Sequence, residues 1–276
     1  MTLLSSIIIA YSLWRFFKGI LLLFSGKRST AHLEENVLST LGVKSESSEH
    51  HVRYNDTVII CGAVGSGKTA LLQRLLFSNT HGKWELPMTV TSIVANAAYL
   101  TASSSSGKRG VVRIIDYPGH PSLASQFTSL LVPSDVSRLV FTIDTTQPVT
   151  EAVTMLYSSI LVNPTVRSNW TNQQLDILVT CTKTDCKGSK NYKRIKIQIR
   201  NELERLRKID SAVGGSYNEN GEWILKGKNI DLDNLGKEVP MKLYFAEVGL
   251  GSDDNCGVQV IRDFVLNGTV PVLGNK

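Results

Sequence analysis

The sequence lacks what several protein classes require. Its four cysteines, Cys61, Cys181, Cys186 and Cys256, form no Cys-x-x-Cys pair. Neither a zinc knuckle nor a dithiol redox motif is therefore indicated, and nothing suggests a disulfide framework. The folded part is expected to face a reducing compartment, with Cys61 and Cys181, each inside an apolar strand-like run, as core residues. No internal repeat is visible. Charged residues make up only 20% of the chain and the net charge is +6, so this is neither a disordered polyelectrolyte nor a strongly basic nucleic-acid binder. The Lys and Arg residues that cluster at 187–208 read as a solvated helix face rather than a nucleic-acid surface, and no direct nucleic-acid binding is expected.

A long apolar run occurs once, at Leu3–Phe24, and Arg15 and Lys18 interrupt it. Its uninterrupted part, Leu3–Trp14, is only 12 residues, short of the roughly 20 that a helix needs to cross a bilayer. Taken whole, Leu3–Phe24 is long enough, and a central charge costs about 2.5–3.5 kcal/mol that the flanking Ile and Leu residues can offset. Three readings stand: a single transmembrane anchor, an interfacial helix with Arg15 and Lys18 at the headgroups, or a signal peptide. The anchor is preferred, because the n-region has no positive side chain and no small-residue cleavage site is clear. Lys27 and Arg28 directly follow the run and place the rest of the chain in the cytosol by the positive-inside tendency. The expected organisation is an anchor at 1–28, a polar linker at 29–52 and a folded domain at 53–276.

That domain holds enough apolar residue for a normal core, 42% over the whole chain. Strand and helix patterns alternate, which predicts an α/β fold with a mostly parallel, doubly wound sheet flanked by helices. Strands are expected at Thr57–Gly62, Val90–Leu100, Gly110–Asp116, Arg138–Asp144, Leu175–Thr182 and Met241–Phe245. Helices are expected at Thr69–Phe77, Val149–Leu161, Lys193–Lys208 and Val258–Leu266. Ser103–Gly107 reads as a hairpin connection and Val213–Lys228 as a solvated loop.

The most specific signal lies between the first strand and the first helix. Gly62-Ala63-Val64-Gly65-Ser66-Gly67-Lys68-Thr69 satisfies the Walker A pattern in full. Glycines let backbone N–H groups converge on phosphates at a helix N-terminus. Lys68 would reach the β- and γ-phosphates, and Thr69 would ligate Mg²⁺. An accidental glycine-rich turn is the bland alternative, and the strand before and helix after argue against it. Asp116-Tyr117-Pro118-Gly119-His120 ends a strand about 45 residues later. There a carboxylate would hold Mg²⁺ through its water shell, and Gly119 would let the backbone approach the γ-phosphate. His120 stands where many GTPases carry a water-orienting Gln, and is either that residue or a surface histidine. Thr91, or else Thr89, is expected to complete the Mg²⁺ shell.

Thr182-Lys183-Thr184-Asp185 follows the strand at 175–182. The Asp185 carboxylate can accept both N1–H and the exocyclic amine of guanine, a pair that adenine does not offer, and the Lys183 stem would pack along the base. The usual motif begins with Asn, so Thr182 costs one amide hydrogen bond to the base or to the loop. The last base-contacting loop should lie at Gly249-Leu250-Gly251, which lacks the customary Lys. The expected ligand is GTP with Mg²⁺.

These residues resemble the beta subunit of the signal recognition particle receptor, an Arf-related GTPase family. The resemblance rests on four features: the apolar N-terminus with its linker, the Pro118-Gly119-His120 sequence after Asp116, Thr91-Ser92-Ile93 after the first helix, and the separation of about 64 residues from Asp185 to Gly249, a segment ending in Val239-Pro240-Met241-Lys242 before the last strand. It implies a GTP form that binds the receptor alpha subunit, docking of ribosomes or the translocon at the endoplasmic reticulum membrane, and slow or partner-dependent hydrolysis. Thr182 and the Gly249–Gly251 loop depart from the pattern. Two other readings remain: an Arf-like GTPase of vesicle traffic, although Met1-Thr2 offers no myristoylation glycine, and a structural subunit that binds no nucleotide.

Overall fold

The structure, a computed structural model, describes residues 56–77, 88–102, 110–213, 225, 230–251 and 256–269. All of them belong to the unit Val52–Lys276. The expected anchor at 1–28, the linker at 29–52 and the Ser103–Gly107 connection lie outside the described residues. Among the described residues, no helix is long and apolar enough to cross a membrane.

Six strands form one sheet in the order β2-β3-β1-β4-β5-β6. They are β1 Asp56–Gly62, β2 Asn96–Ala102, β3 Gly110–Asp116, β4 Arg138–Asp144, β5 Leu175–Thr182 and β6 Met241–Glu247. Only β2, at the edge, runs antiparallel, pairing with β3. The other four pairings are parallel. The central strands are apolar on both faces, as strands of a parallel sheet covered by helices must be. In β1, Ile59 and Cys61 point into one core, which also takes Leu139, Phe141, Ile143, Ile177 and Val179. Val58 and Ile60 point into the other, with Val140 and Leu178. This is the period-2 alternation of a strand read on a sheet with no wet face.

The helices supply the two covers. α1 (Lys68–Phe77) and α6 (Cys256–Asn267) close the second core. Arg262 on α6 donates to the Leu75 carbonyl of α1 at 2.6 Å, joining the two. The first core is covered by α2 (Ala124–Leu130), α3 (Thr150–Leu156), α4 (Pro164–Asn169) and α5 (Tyr192–Val213). α5 buries Ile195, Ile199 and Leu203, spaced by four residues, along one stripe.

The helix expected over Val149–Leu161 is regular only to Leu156. Tyr157–Leu161 is a π-turn, and the Tyr157 hydroxyl donates to Asp210 of α5 at 2.8 Å. The strand expected from Val90 begins only at Asn96. Residues 90–95 lie before it, and Val90, Ile93 and Val94 are exposed there. Val213 is the last residue of α5 rather than the start of a loop. Of 214–228, only Leu225 is described. Two short helices, α2 and α4, carry no sequence expectation.

Strand order decides where a ligand sits. From β1 the chain moves to β3 on one side and then returns to β4 on the other. The carboxyl ends of β1, β3 and β4 therefore open a crevice at this switch point. Gly62, Asp116 and Asp144 are the last residues of those three strands.

Cys61 and Cys181 are buried core residues and Cys186 is exposed. Burial pushes the Cys61 thiol well above its ordinary range and the Cys181 thiol up to about 12. A thiolate is the reactive form. A maleimide at pH 8 is therefore expected to label Cys186 in the native protein and to reach Cys61 and Cys181 only in denaturant, as read by peptide mass spectrometry. Native labelling of Cys61 or Cys181 would contradict this core assignment.

Candidate nucleotide-binding site

The loop between β1 and α1 takes a path that needs glycine. Gly65 and Gly67 have φ of +73° and +87°, in the left-handed region that side chains disfavour. Gly67 is also crowded, since a methyl on it would lie 2.8 Å from the Leu250 side chain. The loop after β6 thus packs directly on the loop after β1. Lys68 is 7% exposed and donates to the Gly62 and Ala63 carbonyls at 3.0 and 2.7 Å. Burial lowers its pKa, and the Asp116 charge works against that shift. An ammonium held this way by neutral carbonyls is ready for a stronger, anionic partner.

Gly119 lies against this lysine. A methyl on Gly119 would sit 2.4 Å from the Gly62 carbonyl oxygen and 2.6 Å from Lys68 Nζ. Asp116, aligned with Ile60 in the sheet register, is 1% exposed. Its Oδ2 accepts from the Thr69 hydroxyl at 2.6 Å. Its Oδ1 is buried without a hydrogen-bond partner among the described residues. Burial raises the Asp116 pKa, while the Thr69 bond, the Lys68 charge and the Asn96 side chain pull it down. A hydroxyl beside an unsatisfied buried carboxylate oxygen is a hard-oxygen donor set. It suits Mg²⁺, which prefers a few protein oxygens and keeps its waters. The residues present therefore fit the expected cation.

The hydroxyl nearest this pair from the preceding segment belongs to Ser92, whose Oγ is 3.5 Å from Thr69 Oγ1. Thr91 is exposed and lines the same cleft. Sequence reasoning passed over Ser92, and its only signal was a hydroxyl beside Thr91.

Thr182 is fully buried. Its hydroxyl lies 2.8 Å from the Ser66 carbonyl and 3.1 Å from that of Ile143. The short side chain thus fastens the phosphate loop to β4 and β5. A second link runs from Ser66 Oγ to Thr142 Oγ1 at 2.6 Å, and Thr142 donates on to the Cys61 carbonyl. Of the two losses that the missing amide implied, the loop contact is replaced by a hydroxyl. Thr182 is not among the residues lining the cleft.

Lys183 holds a left-handed backbone, φ +59°, unusual for a side-chain-bearing residue. Its ammonium pairs with Asp144 Oδ2 at 2.6 Å. Burial alone would raise the Asp144 pKa, but hydrogen bonds from Lys183 and Thr146 hold it below its ordinary range. Asp185 accepts from the Gly251 amide through Oδ2 at 2.8 Å. Val248 N–H donates to the Cys181 carbonyl, and Thr184 N–H to that of Val248. The loops after β5 and β6 are thereby spliced together, which places Gly249 and Leu250 beside Asp185.

The resulting cleft has a volume of about 350 Å³. It is lined by Val64, Gly65, Gly67, Lys68 and Thr69 of the first loop, Thr89–Ser92, Pro118 and Gly119. Lys183, Asp185, Cys186, Leu250 and Gly251 complete it. Gly62, Ala63 and Ser66 shape the loop from behind. His120 lines a neighbouring cavity of about 250 Å³ with Tyr117, Phe127 and Met155. Its Nδ1 is 2.7 Å from Ser122 Oγ and accepts from the Ser122 amide, capping the 3₁₀ turn Pro121–Leu123. Phosphate-side lysine, hydroxyl–carboxylate pair and carboxylate–backbone loop thus share one cleft, with the histidine turned to the next.

Comparison with known proteins agrees with this geometry. A family model described as signal recognition particle receptor beta subunit matches residues 53–239, more than half of the chain. No curated protein matches. Among solved structures, that of the mammalian SRP receptor is 26% identical with a TM-score of 0.57, covering 76% of this chain and 98% of that one. The SRb-GTP/SRX complex of the signal recognition particle receptor from Chaetomium thermophilum is similar in fold, with 16% identity and a TM-score of 0.61. It covers 76% of this chain and 98% of that one. The SRb-GDP-Mg form from the same organism shows 19% identity and a TM-score of 0.53 over the same shares.

Thr182→Val removes the hydroxyl and leaves the Ser66 carbonyl without this partner. The expected loss is about 1–3 kcal/mol of stability in urea unfolding, with Thr182→Ser close to the parent. Parent-like stability of the valine variant would show that this bond does not hold the loop.

Proposed function

Because the chain belongs to the signal recognition particle receptor beta subunit family, we propose that it is the GTP-binding subunit of that receptor. In this reading the apolar N-terminal segment anchors it at the endoplasmic reticulum membrane, and the domain from about residue 53 lies in the cytosol. The observation that carries the nucleotide assignment is the Thr69–Asp116 pair, with its unsatisfied carboxylate oxygen, at the foot of a complete phosphate loop.

Loop amides and Lys68 would hold the phosphates, with Thr69 and Asp116 binding Mg²⁺ and Thr91 or Ser92 adding a hydroxyl. Mg²⁺ supplies charge neutralisation at the phosphates when bound. Asp185 would read guanine, oriented by the Gly251 amide, with the Lys183 stem alongside the base. Two of the solved structures are SRb-GTP and SRb-GDP-Mg forms, which supports the same ligands here.

The partner reading rests on the segment before β2. Met88, Val90 and Ile93 are 102%, 87% and 81% exposed. They flank Thr89, Thr91 and Ser92 of the cleft. Apolar side chains this exposed beside a phosphate site mark a docking surface, and a γ-phosphate contact through the neighbouring hydroxyls would order it. The proposed occupant is the receptor alpha subunit, bound in the GTP state, with ribosome or translocon engaged through the assembled receptor. His120, engaged with Ser122 beside a separate cavity, supports slow or partner-dependent hydrolysis.

Two experiments test this reading. Asp116→Asn should abolish most of the gain in GTP affinity that Mg²⁺ brings, while binding without metal changes little. An unchanged Mg²⁺ dependence by calorimetry would remove Asp116 from the cation site. Asp185→Asn should weaken GTP and favour xanthosine triphosphate, by at least about tenfold in relative affinity, as expected where the hydrogen-bonding pair that reads a base is reversed. Unaltered base preference would show that another group reads the base.

A further inference from the structure

We propose that the outward face of α5 is a second membrane contact, a basic surface for the anionic lipid headgroups of the bilayer that holds the chain. This inference rests on the tethered reading above.

α5 carries seven Lys and Arg against three Asp and Glu. Its net +4 is most of the chain's +6. Part of that charge is used within the fold. Lys196 pairs with Asp233 and Arg205 with Glu202, each at 2.6 Å. Arg207 donates to the Leu225 carbonyl. Lys193, which also has a partner within the fold, is exposed, as are Arg194, Arg200 and Lys208. At about 100° per residue these four fall within an arc of roughly 120° centred near Ile197. Ile197 is itself 52% exposed. The half-buried Glu204 is the acid within the same arc. The opposite stripe, Ile195, Ile199 and Leu203, is in the core. The basic arc is therefore directed away from the domain by the packing of the helix itself.

Lipid fits this face better than nucleic acid does. An apolar side chain ringed by cations suits the boundary between headgroups and acyl chains. Single-stranded nucleic acid instead calls for stacking platforms, and the one aromatic residue of α5 is Tyr192, half-buried at its start. Tethering supplies a high effective concentration, so a contact that is weak for a free protein becomes populated.

The test uses the full chain reconstituted in vesicles, with a fluorophore at Ile197→Cys in a Cys186→Ser, Cys256→Ser background. Nitroxide-headgroup lipid reports proximity, in phosphatidylcholine alone or with about 30% phosphatidylserine to give an anionic surface. Quenching should rise about threefold or more with phosphatidylserine, and fall back near 1 M salt, where the screening length is about 3 Å. It should also be lost in the triple variant Lys193→Glu, Arg200→Glu, Lys208→Glu. A probe at Ser125→Cys, on α2, should stay unquenched. Equal quenching in both vesicle types, none in either, or protection of the α5 probe by added ribosomal RNA but not by lipid would overturn the proposal. If alkaline carbonate strips the chain from the vesicles, the tether reading fails separately. Cosedimentation of the stripped chain with anionic but not neutral vesicles would still support the face, and its absence would overturn it.

Discussion

A 2.6 Å hydrogen bond from Thr69 to Asp116 joins the first turn of α1 to the end of β3. It forms because β1 and β3 are parallel neighbours in register, with Ile60 opposite Asp116. The carboxylate is thereby drawn into a place almost closed to water. Burial there is unfavourable for a charged group unless something offsets it. Thr69, Lys68 and the Asn96 side chain offset part of it, and the Oδ1 left without a hydrogen bond among the described residues is what remains. A divalent cation is the natural complement to that remainder, so the arrangement is preorganised for metal-assisted phosphate binding.

The base side is built on a different principle. Where the phosphate side uses buried charge, the base side uses backbone splicing between the loops after β5 and β6. Cys181 and Val248, Thr184 and Val248, and Asp185 and Gly251 are linked in succession. Thr182 sits behind them and ties both to the phosphate loop through the Ser66 carbonyl. The loops are thus held to one another through a few hydrogen bonds. The exposed apolar residues of the segment 88–94 flank the hydroxyls that line the cleft.

Much of this was legible in the sequence, for physical reasons. β3, β4 and β5 have the expected bounds because their apolar runs end at Asp116, Asp144 and Thr182, polar residues at the carboxyl ends of the strands. The phosphate loop, Asp116 and Asp185 were readable because their chemistry is local to a few residues. The segment 90–95 is not strand as expected, because apolar character alone does not separate a buried strand from an exposed connection. α2 and α4, seven and six residues long, are too short for helical periodicity to register. Yet Asn163 before Pro164 was a readable start, and its side chain does accept from the Thr165 and Val166 amides. The roles of Thr182, Ser92 and Gly251 were not legible, because each depends on a residue 20 or more positions away that only the fold brings near.

What the native protein carries when purified is the most direct measurement of this site. Full-length protein purified without added nucleotide, then denatured and resolved by ion-pair chromatography, should release close to one guanine nucleotide per chain. Purification with EDTA should deplete that nucleotide. Protein that releases none, and that takes up no GTP in the presence of Mg²⁺, would contradict the central claim.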